Sequence, residues 1–385
     1  MRIAVITQGD PNNRAGFFNN VHERILHLVK KEDVHVDVFI LQYAKRIERN
    51  SPTKLLIDGI DYHIFYVKIT ALRYLASFKM KIIPYPGYIA VRKYVSLFKD
   101  YDLLSVHSIG AMQIAETVKE KYGVPYVVTW HGSDVHTNPH RNPKLMKLTR
   151  KVMSNADMNF FVSNALLKAS DVICQTNNKE VLYSGVSKYF KEYDDDKKKV
   201  LRKQYEIETK KVVAFLGNII SIKNVLSLPM IFNNVAQSYG STNLKFWIIG
   251  DGNLYGQLQS ELEKTHIDYR MFGMQKPDVV PDLLNCVDVL VLPSFNEGLP
   301  LVTEEALQCG VNVVGSNVGG IAEVIGDENV FDLDDDFVVK IAEKICSILK
   351  AGVKPKPLSD KFGWDACTLH ELECYHSIIN PMHYA

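Results

Sequence analysis

Residues 294–325 read SFNEGLPLVTEEALQCGVNVVGSNVGGIAEVI. Three carboxylates, Glu297, Glu304 and Glu305, crowd what the pattern makes a strand end, a tight turn and a helix start. The preceding run VLVLPS, 289–294, is a buried-strand pattern, so residues 294–300 leave that strand at its carboxyl end. Pro300 suits the first turn of a helix, where its missing N–H is no loss, and Gly298 lets backbone approach closely. The first N–H groups of a helix lack intrahelical acceptors and lie at the positive end of its dipole. Leu301, Val302 and Thr303 therefore offer their N–H groups to an anion, a ready phosphate site. Glu305 lies further into the helix, where a carboxylate accepts hydrogen bonds from neutral hydroxyls beside a phosphate, as in a ribose clamp. Glu297, on the turn, is within reach of a sugar attached to that phosphate. Helical geometry directs Glu304 elsewhere, into solvent. Taken alone, either Glu297 or Glu305 is equally well read as a complement to the helix dipole.

Outward from this stretch, short apolar runs alternate with helical patterns. RIAVIT, VHVDVFIL, YHIFYV, DLLSVH and PYVVTWHG read as strands in the first half, with helices in FFNNVHERILHLVKK and GAMQIAETVKEKYG. The charged stretch KEYDDDKKKVLRKQYEIETKK, 191–211, interrupts them as a linker and solvated helix. The alternation then restarts: VVAFLGN, LKFWIIGDG, DYRMFG, VDVLVLPS and VNVVGS as strands, with helices near 224–239, 253–264 and 277–285. Strands alternating with helices imply βαβ units and parallel sheets covered on both faces. The expected organisation is two α/β domains, residues 1–177 and 178–360. The end, KFGWDACTLHELECYHSIIN, forms a closing helix within 361–385 that packs through Phe362, Trp364, Leu369, Leu372 and Tyr375. Ligands of such sheets bind at the carboxyl ends of the strands.

The 385 residues carry a formal net charge of +1, but unevenly. Residues 1–175 hold 24 Lys/Arg against 15 Asp/Glu, a net of +9, which leaves −8 for the rest. The first half therefore suits an anionic partner such as a membrane surface or a phosphate-bearing substrate, unless the two halves simply attract each other. Six cysteines without a CxxC pair argue against a disulfide framework or zinc site and for a reducing cytosol. The apolar run at residues 3–6 is too short for a signal peptide, and no run reaches the ~18–20 residues of a membrane span. The acidic triplets 194–196 and 334–336 lie among hydrophilic residues and read as solvated loops rather than metal ligands.

Glu297 and Glu305 enclose seven residues, an E-x7-E pattern, followed by Ala306, Gly310 and the GG..E of Gly319, Gly320 and Glu323. This resembles the signature of the retaining glycosyltransferases of family 4, whose GT-B fold sets two Rossmann-like domains facing across a cleft. The resemblance implies an enzyme that moves a sugar from a nucleotide diphosphate-sugar, UDP- rather than GDP-, to an acceptor hydroxyl with retention of configuration. Cell-surface polysaccharide or lipid-linked glycan synthesis is the implied setting, with no metal or other cofactor. It assigns the donor sugar to Glu297 with Gly298, Leu299 and Pro300, and the ribose to Glu305. His131, in WHGSD, takes the family's cleft histidine position and with Glu297 is the expected catalytic pair; His107 at the end of LLSVH is a second candidate.

FLGNIISIKN, 215–224, is similar to the family's G-R-x4-K-G diphosphate segment, with Gly217 and Lys223 matching. Asn218 stands where Arg is usual and Asn224 where Gly is usual, so a fork of charge-assisted bonds is missing. Gly16 and nearby Arg14 take the place of the glycine-rich first loop against the diphosphate. Gly250 of WIIGDGN and Phe272 and Gly273 of MFG take positions near the nucleotide.

Residues 70–101 mix Tyr74, Phe78, Tyr85, Tyr88, Tyr94 and Phe98 with Arg73, Lys79, Lys81, Arg92, Lys93 and Lys99, and hold no acid before Asp100. Such segments lie in membrane interfaces or, equally, form packed helices with basic outer faces. Similar enzymes receive lipid-linked acceptors at the membrane through this domain, so a cytoplasmic protein peripheral on the inner membrane face is expected. Nucleic acid is not, since no recognition module is present. Two other functions fit the same motifs: a GT-B nucleotide-sugar epimerase or hydrolase, and a non-catalytic nucleotide-sugar binder.

Overall fold

The structure, a computed structural model, describes residues 1–9, 17–47 and 51–380. The chain divides into two units, Met1–Gly185 with Gly363–Ala385, and Val186–Phe362.

In the first unit an eight-stranded sheet runs in the order β3-β4-β2-β1-β5-β6-β7-β8. Its strands are β1 Arg2–Gln8, β2 His35–Ala44, β3 Lys54–Ile57, β4 Ile60–Lys68, β5 Leu103–Val106, β6 Tyr126–Trp130, β7 Met158–Phe161 and β8 Lys179–Val181. Every pairing is parallel except β3 with β4. Ile3, Ala4, Val5 and Ile6 of β1 are all buried, as a strand covered on both faces requires. Parallel neighbours need crossovers, and Ile109–Tyr122 supplies the one from β5 to β6. The Ser108 hydroxyl accepts the N–H of Ala111 to start that helix, and Gly123, in the left-handed region, ends it.

In the second unit six parallel strands run β11-β10-β9-β12-β13-β14. They are β9 Lys211–Leu216, β10 Leu244–Ile249, β11 Tyr269–Met271, β12 Val289–Leu292, β13 Asn312–Ser316 and β14 Val330–Phe331. Leu228–Tyr239 and Phe337–Ala351 press buried Ile231, Phe232 and Val235, and Ile341 and Ile345, into its core.

Three expectations change here. Residues 191–211 are not a linker but belong to the second unit. Leu201 of the helix Asp195–Gln204 is buried, and the Arg202 guanidinium donates to the carbonyls of Cys286 at 2.9 Å and Ile207 at 3.1 Å. The triplet at 194–196 starts this helix, the Asp194 carboxylate accepting the N–H of Lys197 at 2.8 Å. The closing helix, Trp364–Ile379, packs in the first unit through Trp364, Leu372 and Tyr375, whereas Leu369 is 58% exposed. Gly185 makes that return possible, because a Cβ there would stand 2.4 Å from the Trp364 ring.

Segment 70–101 is divided. Val91, Val95, Phe98 and Tyr85 are buried, and Tyr94 stacks on Phe65 at 4.3 Å. The helix Ala71–Phe78 buries only Ala76 and Ser77, so Leu72, Tyr74 and Phe78 stand in the open.

Candidate active site

In the second unit the expected donor residues gather at the carboxyl ends of β9, β10 and β12. After β9 the chain turns at Gly217 and runs to Lys223, and after β12 it turns through Ser294 to Glu297. The Phe295 N–H donates to the Ile222 carbonyl at 2.8 Å and ties the two turns together. Lys223 Nζ then meets Glu297 Oε1 at 2.6 Å, and the Ser294 hydroxyl donates to the same oxygen at 2.7 Å. Ser294 is itself buried, and its carbonyl accepts from the Ser316 hydroxyl at 2.6 Å. An ammonium has three donors, and Lys223 engages one, leaving two without acceptors among the described residues. Asn224 explains its departure from glycine: its φ is 49°, in the left-handed region, where asparagine is the common substitute.

The GG motif is a packing requirement. A Cβ on Gly319 would lie 2.1 Å from the Glu297 carbonyl oxygen, and the Gly320 N–H donates to the Gly298 carbonyl at 2.8 Å. Residues 317–320 thus lie across the Glu297 turn and fix its path.

The helix Leu301–Gln308 begins after Pro300. Leu301 and Val302 keep N–H groups without backbone acceptors among the described residues, but Thr303 does not. Its N–H donates to the Pro300 carbonyl at 2.9 Å, its hydroxyl donates to the same oxygen at 2.7 Å, and it is buried. The first turn closes tightly on Pro300, so Thr303 leaves the anion-binding set.

The two glutamates of this helix also differ from expectation. Glu304, expected in solvent, is 0% exposed, and both its carboxyl oxygens lack hydrogen-bond partners among the described residues. Burial, with Glu305 beside it, pushes its pKa well above the ordinary carboxylate value. Glu305 is half-buried, and burial alone raises its pKa to about 7.

The nucleotide-side turns are closed more tightly than the sequence suggests. A Cβ on Gly250 would stand 2.0 Å from the Gly217 carbonyl oxygen. The N–H of Gly217 donates to Ile249, that of Ile219 to Asp251 and that of Gly250 to Gly273. Gly250 therefore serves close approach of two turns, its own N–H being taken. The Phe272 N–H donates to Ile248 at 2.9 Å and its carbonyl accepts from Gln275 Nε2 at 2.7 Å. Its ring packs edge-on against Trp247 at the edge of the core. Gly273, with φ of 67°, accepts from Gly250. Asn218 is exposed and its side chain makes no hydrogen bond among the described residues. Gly16 and Arg14 lie outside the described residues.

In the first unit β6 delivers His131. Asp134 accepts the N–H groups of His131 at 3.0 Å and Gly132 at 2.8 Å, and Gly132, with φ of 140°, makes the turn. The WHGSD motif is thus a backbone clamp that sets one imidazole, a role for Asp134 that residue types alone did not reveal. The Phe17 ring stands edge-on to His131 at 4.7 Å, and His131 Nε2 lies 3.2 Å from His107 Nδ1. Burial and the positive Arg24 lower the His131 pKa to about 3, so the ring is neutral. Among the described residues no group of three or more His, Cys, Asp or Glu could hold a metal ion, and no helix is long and apolar enough to cross a membrane.

Comparison with known proteins gives this geometry a family. Residues 19–186 match the profile of Glycosyltransferase Family 4, and residues 210–351 that of Glycosyl transferases group 1; together they take up most of the chain. The N-acetyl-alpha-D-glucosaminyl L-malate synthase of Bacillus anthracis is 27% identical over 296 residues, 72% of this chain and 74% of that protein. A putative teichuronic acid biosynthesis glycosyltransferase of Bacillus subtilis is 27% identical over 227 residues, 58% of this chain and 55% of that protein. Among solved structures, the Anabaena HepE complex with UDP superposes with a TM-score of 0.69 at 17% identity, covering 98% of this chain and 100% of that one. The sucrose-phosphate synthase of Thermosynechococcus elongatus gives 0.75 at 17% identity, covering 99% of each chain. The fold is GT-B, and the chain belongs to the family 4, or group 1, glycosyltransferases.

Proposed function

We propose that the protein transfers a hexosyl unit from a nucleoside diphosphate-sugar, UDP- in preference to GDP-, to an acceptor hydroxyl with retention of configuration and without a metal ion. The observation that carries this reading is the Lys223–Glu297–Ser294 cluster beside a helix whose first two N–H groups have no backbone acceptors. When the bond from the anomeric carbon to the diphosphate breaks, negative charge grows on the departing phosphate. The N–H groups of Leu301 and Val302 and the two remaining donors of Lys223 meet it, which is the work a metal does elsewhere. Glu297, paired with Lys223, faces the sugar and the positive charge developing there, with Gly298, Leu299 and Pro300 shaping the turn. Glu305 accepts from the ribose hydroxyls, and His131 hydrogen-bonds a sugar hydroxyl. The UDP of the Anabaena protein's complex supports the choice of nucleotide.

The acceptor is a glycan or lipid-linked glycan of the cell surface, as the relative in teichuronic acid biosynthesis suggests. Cytoplasmic placement, peripheral on an anionic membrane, belongs to this reading. Leu72 is 72% exposed and Phe78 54%, with Tyr74, Met80 and Ile82 exposed beside them. Arg73, Lys79 and Lys81 are interleaved, and no acid falls between 70 and 99. Apolar side chains ringed by cations suit the headgroup boundary.

The test is a panel of nucleotide sugars assayed with and without a chelator, with the product anomer read by NMR and anionic vesicles present in one arm. Turnover of a UDP-sugar only when an acceptor is added, unaffected by the chelator, supports the reading. Product formed without acceptor would make the protein a hydrolase or epimerase, and binding without turnover across the acceptors would make it a binder. Loss of vesicle cosedimentation in Leu72→Ser/Phe78→Ser marks the membrane face; unchanged cosedimentation removes it.

A further inference from the structure

Behind His131 a line of hydrogen bonds runs through the first unit to the closing helix. His131 Nε2 lies 3.2 Å from His107 Nδ1, and His107 Nε2 lies 3.4 Å from the Ser105 hydroxyl. Ser105 Oγ is 3.0 Å from the Tyr375 hydroxyl, which reaches Glu371 Oε1; Glu371 Oε2 accepts from Arg24 Nη1 at 2.7 Å. Ser105, His107, Tyr375, Glu371 and Arg24 are all buried.

We infer that the Glu371 carboxylate sets the direction of this chain, and that Tyr375, Ser105 and His107 thereby hold His131 as its Nε2–H tautomer, with Nδ1 left as a bare acceptor. Each link has one hydrogen, so the direction follows from one end. Arg24 is always protonated, and a carboxylate paired with it only accepts. Tyr375 gives its single hydroxyl hydrogen to Glu371, so the contact with Ser105 uses the serine's hydrogen. Ser105 Oγ then accepts from His107 Nε2–H. Burial, the neighbouring His131 and the positive Arg24 keep His107 neutral, so its Nδ1 carries no hydrogen and accepts from His131 Nε2–H. His131, also neutral, has Nδ1 unprotonated, and that atom has no hydrogen-bond partner among the described residues. An acceptor is what a sugar hydroxyl needs, since it can then donate. Its kinetic consequence rests on the reading of His131 as a residue that touches the donor sugar; the tautomer does not.

The tautomer is directly visible. Histidine-15N labelling of the full chain and a long-range 1H–15N correlation distinguish bare from protonated ring nitrogens, with His131→Gln identifying the signal. The wild type is expected to show His131 Nδ1 bare. In Glu371→Gln the amide keeps its oxygen toward Arg24 and turns an N–H toward Tyr375. Every link then reverses, and His131 Nδ1 becomes protonated. In Tyr375→Phe, which keeps the packing and removes the link, the signal moves to an average of both forms. A wild type with protonated Nδ1, or a folded Tyr375→Phe variant with an unmoved signal, overturns the proposal even should Glu371→Gln fail to fold. On turnover, the reversed tautomer is expected to lower kcat/KM about 10-fold or more, the size of one lost hydrogen bond. A reversed tautomer with unchanged turnover leaves the chain standing and removes His131 from the sugar.

Discussion

The polar groups around His131 and those around Glu297 are handled in opposite ways. Around His131 the links run from residue to residue until they end on the Arg24–Glu371 pair, and the histidine is set before any substrate arrives. Around Glu297 the second unit leaves polar capacity open: two donors on Lys223, the N–H groups of Leu301 and Val302, and both oxygens of buried Glu304. Buried polar groups are normally satisfied, because leaving one unpaired costs about 1–3 kcal/mol. The contrast teaches that the links behind His131 are settled within the protein, whereas the Glu297 cluster keeps donors that a ligand can engage.

The largest expected effect attacks the second unit's cluster. Glu297→Ala should lower kcat about 100- to 1000-fold, in the range of losing one preorganised electrostatic group, with the fold retained by circular dichroism. Lys223→Ala should cost about 100-fold. Because the two share one contact at 2.6 Å, the double variant should lose less than the product of the singles. Multiplicative losses would mean that the pair does not act together, and wild-type turnover in either single variant would remove that residue from the chemistry.

The next effect is on stability. The folded-state pKa of Glu304 is raised well above the ordinary carboxylate value, and that of Glu305 is raised to about 7. The folded protein therefore holds protons that the unfolded chain releases above about pH 4.5. The protonated glutamates are tolerated below that pH. As pH rises above it, stability falls by up to about 1.4 kcal/mol per pH unit for each such group until that group's folded-state pKa is passed. The wild type should melt several degrees lower at pH 8 than at pH 5. Glu304→Gln, which cannot ionise, should show a shallower decline by calorimetry; parallel curves would mean that Glu304 reaches solvent.

These glutamates also show how far the sequence carries. The central strands were legible because parallel strands buried on both faces must be continuous apolar runs, as in β1 and β12. Strands β3, β7, β8 and β14 run for two to four residues and lie outside the longer apolar runs that made the four-residue β12 legible. Glu297 and Lys223 were found by motif, and the structure adds that they touch. Helical geometry separated Glu304 from Glu305 but did not say which way it points; its side of the helix faces the interior rather than solvent. Thr303 looked free because helix-start rules count four unpaired N–H groups, and only the local closure on Pro300 shows that one is taken. Tyr375 was legible only as a packing residue and Glu371 not at all, because their meeting with Ser105 depends on the chain's return at Gly363.

The smallest effect tests whether the second unit's open capacity is oriented toward phosphate. Asn218 is exposed, its side chain has no partner among the described residues, and it follows Gly217 at the end of β9. Asn218→Arg adds a planar fork of donors at a site already facing solvent, so no buried charge is created. If the diphosphate lies beside Lys223, the new guanidinium should lower KM for the donor about 3- to 5-fold, the range of an exposed ion pair worth up to about 1 kcal/mol. Being exposed, the gain should shrink as ionic strength rises from 0.05 to about 0.5 M, where screening shortens to a few ångströms. An unchanged KM at low salt would mean that the phosphates lie nearer Leu301 than the β9 turn, and that the neutral residue at 218 takes no part in holding them.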